Sequence, residues 1–202
     1  MELTERQRDV LTEVFNIGVG RAASSLSDLV QTEVKLQIPE IAIISQEDIP
    51  KQLQEISDRS LSLVEQKFQC SFSGKAALIF PTDDAAKLVS VLSGEEIGSP
   101  GLDSVKEGTI TEVGNIIINA LLGSISNFLD ETMEFTLPLY QEAHVNEIKP
   151  IDEVEARHVT IVCKTRFDVE DLRIEGHFMM YINVTAVDRL MSIIDKRIEE
   201  MM

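Results

Sequence analysis

The sequence predicts an α+β fold built by internal duplication, and three observations carry that expectation. A helical segment at Asp9 to Asn16, DVLTEVFN, returns at Gly108 to Asn115 as GTITEVGN. A proline follows each copy at one distance: Pro39 comes 23 residues after Asn16, and Pro138 comes 23 residues after Asn115. Downstream of each proline, alternating stretches suited to a β-hairpin lead into a closing helical stretch. The economical description is a helix, strands, hairpin, helix unit present twice, over about residues 1–97 and about 103–202. Neither half covers its sheet alone. One domain over residues 1–202 is therefore expected, with a mostly antiparallel sheet of about six strands, helices packed on one face and pseudo-two-fold symmetry.

The first helix is expected over about residues 4–29, opened by a Thr4/Gln7 capping box and sustained by an apolar stripe. Gly18 and Gly20 lie inside it, each at a cost of about 0.5–1 kcal/mol relative to alanine. Gly18 falls on the core face, which assigns it to close packing; Gly20 falls on the polar face, which assigns it to access by a partner. Val34 to Ile44 reads as two extended pieces joined at Pro39, the first near a sheet edge. Gln46 to Ser57 is polar and contains Pro50, as a loop with one helical turn would. Ser60 to Ser73 alternates as a long strand, Gly74 is the expected turn, and Lys75 to Phe80 returns as the hairpin mate. Thr82 is the expected N-cap of a helix to about Leu92, and SGEEIGSPG at Ser93 to Gly101 is the linker.

In the second half, a Ser104/Glu107 capping box opens a helix to about Phe128. Glu134 to Leu139 is extended, Val154 to Phe167 forms a long strand, Leu172 to Asn183 is its mate, and a last helix covers about Thr185 to Glu199. The offset between halves is 99 residues at the Glu and Asn positions and 102 at the closing helices, where Leu190 answers Leu88. That difference is expected to lie in a loop.

Composition narrows the function classes. The chain has 202 residues, of which 44% are hydrophobic, and a formal net charge of −17, so a substantial core is expected. Without a local basic patch, such a charge disfavours nucleic acid and anionic membranes as partners. Cys70 and Cys163 stand alone, without the pairing of a zinc site or the density of a disulfide scaffold, and are expected to be reduced, buried thiols of a cytoplasmic protein. The start lacks the apolar core of a signal peptide. The uncharged run Val113 to Leu129 carries Asn115, Asn119, Ser124, Ser126 and Asn127, which suits a buried helix better than a membrane span.

At 100° per residue, Asp9, Glu13 and Asn16 share an arc of roughly 60° on one helical face, with Val10, Leu11, Val14, Phe15 and Ile17 behind them. Exposed Glu and Asn on a helix are ordinarily just solvated. Solvent faces diverge freely, however, and here Glu-x-x-Asn recurs with its proline, at Glu13/Asn16/Pro39 and Glu112/Asn115/Pro138. Asp9 and Glu13 lack the differential burial an acid/base pair needs. His144, His158 and His177 lack metal-ligand spacing, so no metal site is expected. No phosphate loop, serine elbow or reactive-cysteine motif occurs. A carboxylate one turn from a carboxamide suits another task, holding a water in line with a labile bond in a partner's reaction centre. A gain of about 100-fold requires only about 2.7 kcal/mol.

At these residues the chain resembles the CheC, CheX and FliY phosphatases of chemotaxis, whose signature is Asp/Ser-x3-Glu-x2-Asn-x22-Pro. Asp9, Glu13, Asn16 and Pro39 match throughout; Glu112, Asn115 and Pro138 match a second time, with Gly108 where Asp or Ser is expected. Two sites over about 200 residues, with no appended flagellar-switch domain, resemble the CheC branch in particular. The resemblance implies hydrolysis of the aspartyl phosphate on CheY, the response regulator. It gives water positioning to Asn16 and Asn115, contact with the regulator's lysine to Glu13 and Glu112, and a supporting role to Asp9. Pro39 and Pro138 would break strand pairing and fix how the chain leaves each helix. The magnesium (Mg2+) would belong to the regulator, with no cofactor bound by this chain. The resemblance also implies CheD, a receptor-modifying deamidase, as a partner, which opens an alternative: a CheD-binding adaptor or CheY-P-binding module with little turnover. A structural flagellar-switch role is a third reading. Fused repeats often replace a homodimer, so a monomer is expected.

Overall fold

The computed structural model describes residues 3–148, 158–169 and 172–200. Among these residues, five α-helices and seven strands follow one another as α1 (Glu5–Val30), β1 (Val34–Ser45), α2 (Ile49–Ile56), β2 (Ser60–Gln69), β3 (Ser73–Pro81), α3 (Thr82–Ser93), α4 (Pro100–Leu129), β4 (Glu134–Phe135), β5 (Leu139–His144), β6 (His158–Val169), β7 (Leu172–Asn183) and α5 (Val184–Glu200). All the strands form one curled sheet in the order β1-β6-β7-β3-β2-β4, with β5 also on β2, and every pairing is antiparallel. Under the correspondence of β2 with β6, β3 with β7, and β1 with the broken outer strand β4/β5, this order reads the same from either end.

Strand alternation sorts the sheet into two faces. Val64, Phe68, Leu78, Phe80, Cys163, Phe167, Phe178 and Met180 point toward α1, α3, α4 and α5 and form the main core. On the other side Leu61, Leu63, Ile79, Val162, Met179 and Tyr181 form a second cluster with Ile49 and Leu53 of α2. The segment expected as a loop with one turn thus forms a short 3-10 turn and an eight-residue helix, with Pro50 in its first turn. That helix covers the face the four longer helices leave bare.

α1 starts on the Thr4/Gln7 capping box as the sequence predicts. α4 is capped five residues earlier than expected, on Ser99, whose hydroxyl accepts from the Leu102 amide at 3.0 Å; Pro100 occupies the first helical position, which needs no amide hydrogen. Ser104 instead donates back to the Gly101 carbonyl. Thr82 is likewise the first residue of α3 rather than its cap. The first hairpin turns at residues 70–72, where the Cys70 amide reaches the Phe72 carbonyl at 2.7 Å. Gly74 lies within β3, where a Cβ would meet the Phe68 ring at 2.4 Å. Residues 154–157 of the expected second long strand lie outside the described residues. The extra length of the second repeat resides in strands and not in a loop: β6 and β7 have 12 residues each, against 10 and 9 in β2 and β3.

α4 is long and apolar enough to cross a membrane by length and composition. Here Ile110, Val113, Ile117, Ile118, Leu121, Leu122 and Ile125 are all buried in the main core. Cys163 is buried, which pushes its thiol well above the usual range, whereas Cys70 is half-buried.

Candidate functional site

α1 turns Asp9, Glu13 and Asn16 to solvent over a buried backing of Leu11, Val14, Phe15 and Val19. Phe15 anchors the helix edge-on against Phe178 of β7, ring centres 5.9 Å apart. Ile17, expected on the apolar side, is 46% exposed beside Asn16. The two glycines divide as their faces predict. A Cβ on Gly18 would strike Ser124 Oγ at 2.6 Å and the Ala120 carbonyl at 2.8 Å, so α1 crosses α4 there at backbone distance; a Cβ on Gly20 would meet nothing within 4 Å. Asn16 and Gly20 therefore share an open surface.

α4 presents the second face differently. Glu112 is exposed, but Asn115 and Asn119 are half-buried. Gly114 lets α4 lie directly on β2, since a Cβ there would meet Val64 at 2.5 Å. That approach brings Asn115 into reach of the sheet. Asn115 Oδ1 accepts one hydrogen bond from Asn119 Nδ2 at 2.8 Å and another from Gln66 Nε2 at 3.3 Å. Gln66 also donates to the Thr136 carbonyl at 3.1 Å. Asn16 has no such partner, and Asp9, Glu13 and Glu112 carry no ion pair or hydrogen bond from a side chain among the described residues. Gly108, where the acid of the first copy is missing, is exposed with open space beyond it.

The proline spacing acquires a geometric meaning. β1 pairs with β6 at Gln37↔Arg166 and resumes at Glu40↔Lys164, so three steps along β1 oppose two along β6. β4 and β5 pair with β2 at Phe68↔Phe135 and Glu65↔Leu139, again one residue longer on the proline-bearing side. Pro39 and Pro138 therefore each lie in a bulge of the strand beside the site's hairpin, where a missing amide hydrogen removes no ladder bond. In the second copy the bulge leaves the Thr136 carbonyl for Gln66. Asn-x22-Pro is in this respect a sheet-register signal. Both prolines interrupt pairing as expected.

Around the start of α4, Lys106 pairs with Glu142 of β5 at 2.8 Å, and Tyr140 donates to the same carboxylate at 2.9 Å. Burial pushes the Tyr140 hydroxyl up to about 12, and the Glu142 carboxylate reinforces the shift. Burial works against ionisation of Glu142, yet the hydrogen bonds from Lys106 and Tyr140 hold its carboxyl below the usual range. These contacts tie the helix bearing Glu112 to the outer strand.

His144 and His177 lie on different strands and have different partners. His144 is exposed and its Nδ1 caps the Asn146 amide, and His177 stands on β7 facing the α2 side, beside Lys164 and Glu175. No group of three His, Cys, Asp or Glu side chains among the described residues is arranged to hold a metal ion. Sequence reasoning missed Gln66. Its signal was present as a polar residue on the core-facing register of β2, between Val64 and Phe68.

No family model matches the chain. It is 22% identical to the flagellar motor switch phosphatase FliY of Bacillus subtilis (strain 168) over 98% of its own length, and spans 52% of that relative. It is 20% identical to the CheY-P phosphatase CheC of the same organism, covering 93% of each chain. Among solved structures, Thermotoga maritima FliY superposes with a TM-score of 0.77 at 17% identity, over 97% of this chain and 99% of that one. CheX from the CheX–CheY–BeF3–Mg2+ complex of Borrelia burgdorferi gives 0.52 at 17% identity, over 85% and 97%. At these identities the structural likeness shows the fold.

Proposed function

We propose that this chain, which belongs to the CheC/CheX/FliY family, is a chemotaxis phosphatase that hydrolyses the aspartyl phosphate of a CheY-like response regulator. The observation that carries the reading is the recurrence of an outward Glu-x-x-Asn face over one sheet plan, including a proline bulge at the same interval. The phosphatase activity of the CheC and FliY relatives, and the CheX relative's complex with CheY, support the same class of partner.

The step needs little chemistry from the chain itself. Glu13 or Glu112, without a side-chain partner among the described residues, pairs with a cationic group of the regulator and docks the helix. The asparagine amide donates to one lone pair of a water and leaves the other aimed at phosphorus. A water oxygen–phosphorus bond forms, the bond from phosphorus to the aspartyl oxygen breaks, and its electron pair leaves on the aspartate carboxylate. The water's proton passes to the released phosphate. Magnesium would be held by the regulator, where it would supply charge neutralisation at the phosphoryl group. Asp9 extends the acidic face of the first site. CheD binding, a monomeric state and a cytoplasmic location belong to the same reading.

The experiment is phosphate release from excess phosphorylated regulator with magnesium and catalytic amounts of this chain. Many turnovers are expected, with Asn16→Ala and Asn115→Ala each lowering the rate, and the double variant losing at least about 100-fold while retaining its circular dichroism. Full activity in the folded double variant would refute water positioning by these residues. Stoichiometric protection of the phosphorylated regulator would favour the adaptor reading.

A further inference from the structure

The two faces share a backbone plan and differ in what lies beneath the asparagine. Gln66 stands opposite the Pro138 bulge, and Thr165, 99 residues on, stands opposite the Pro39 bulge. Both sit on the core-facing register, Gln66 between Val64 and Phe68 and Thr165 between Cys163 and Phe167, at 2% and 3% exposure. Gln66 is long enough to bridge Asn115 Oδ1 and the Thr136 carbonyl. Thr165 is short, and its hydroxyl has no hydrogen-bond partner. The second difference is on the helices, where Asn119 answers Gly20. One copy thus has two amide donors aimed at its asparagine oxygen, and the other has none.

Gln66 is an expensive choice for that register. Its Oε1 is buried without a partner, as is Asn119 Oδ1, whereas an apolar side chain of similar volume would bring no unsatisfied oxygen of its own between Val64 and Phe68. Its retained hydrogen bonds both serve the bulge and the asparagine. With both lone pairs of Asn115 Oδ1 engaged, that carboxamide has one orientation: its oxygen turned inward and its Nδ2 hydrogens left for an incoming group. Asn16, exposed and unbonded, must be ordered at each encounter.

We propose that Gln66, assisted by Asn119, is a positioning residue that fixes the Asn115 carboxamide as a donor toward the regulator's water and makes the Asn115 face the faster of the two, despite Gly108. This rests on the phosphatase reading above. Preorganisation raises turnover without adding contact to the regulator, so the effect belongs to kcat and not to KM.

The test uses the full chain and the phosphorylated regulator. In the Asn16→Ala background, Gln66→Leu is expected to lower kcat on the order of tenfold with KM unchanged; in the Asn115→Ala background the same substitution changes nothing. Grafting the network into the first face, Thr165→Gln with Gly20→Asn in the Asn115→Ala background, is expected to raise kcat. It keeps the proposal falsifiable if Gln66→Leu fails to fold. An independent readout is the Asn115 side-chain amide resonance pair. It should be well dispersed and slow to exchange in the wild type, unlike that of Asn16, and move to an exposed amide position in Gln66→Leu. Unchanged kcat in the Asn16→Ala/Gln66→Leu chain, a faster Asn16 face, or coincident Asn16 and Asn115 amide signals would overturn the proposal. A wild type with no turnover but with a protected Asn115 amide would instead refute the phosphatase reading and leave the positioning contact standing.

Discussion

Small differences at single positions decide how each face is built. Gly18 and Gly20 are two residues apart with opposite constraints: one is trapped against the α4 backbone and the other faces open space. Gly18→Ala is expected to force the helices apart and cost about 1–3 kcal/mol. Gly20→Ala should instead stabilise the fold by about 0.5–1 kcal/mol through helix propensity. Urea denaturation of both variants checks the pair, and equal effects would contradict the helix crossing described here. The glycine roles were legible because helical geometry alone separates their faces. Gln66 was not legible. Alternation marks a residue as core-facing, but only the approach of α4 at Gly114 shows that a carboxamide at that position reaches Asn115.

At the level of elements, the long helices and the strands follow the patterns that predict them, and apart from α2 the differences gather at their ends. Two serines competed to open α4, and the sequence signal of a capping box at Ser104 lost to a plain Ser99–Pro100 start. Removing the winning cap should matter: Ser99→Ala is expected to cost about 1 kcal/mol and Ser104→Ala much less, measured by thermal melting. The segment holding α2 reads as a loop with one helical turn because Gln46 to Ser57 is largely polar and contains Pro50. Its helicity comes from tertiary burial of Ile49 and Leu53, which no local propensity reports. The bulges were half legible. The prolines announced a break in pairing, while the one-residue register shift that follows each needs both strands at once.

Over the whole molecule, the sheet separates a helix-covered face, which supports both sites, from a thinner face under α2. The thin face holds a histidine whose burial couples stability to acid. Burial lowers His177 to about 4, with Lys164 adding to the shift and Glu175 opposing it. The unfolded chain binds a proton at this residue near its ordinary value and the folded chain does not, so stability should fall as pH drops from about 6.5 toward about 4, by at most about 1.4 kcal/mol per unit. Glu175, whose carboxyl the Lys164 hydrogen bond holds below the usual range, adds a further loss at still lower pH. His177→Gln should flatten the upper part of that decline in chemical denaturation run across the range. An unchanged profile would place the acid sensitivity elsewhere.

The left-handed residues that end the two long helices set a last constraint. Gln31 closes α1 at φ 55° and Asp130 closes α4 at φ 56°, and each comes 15 residues after its asparagine. The distance from working residue to helix stop is therefore a fixed ruler, and adding one residue within it would swing the Glu and Asn side chains about 100° around the axis relative to the sheet below. Length variation in this chain should consequently be confined to places such as residues 94–98, where an insertion changes no angular setting. Each helix behaves as a keyed shaft whose indexing the fold holds at one end.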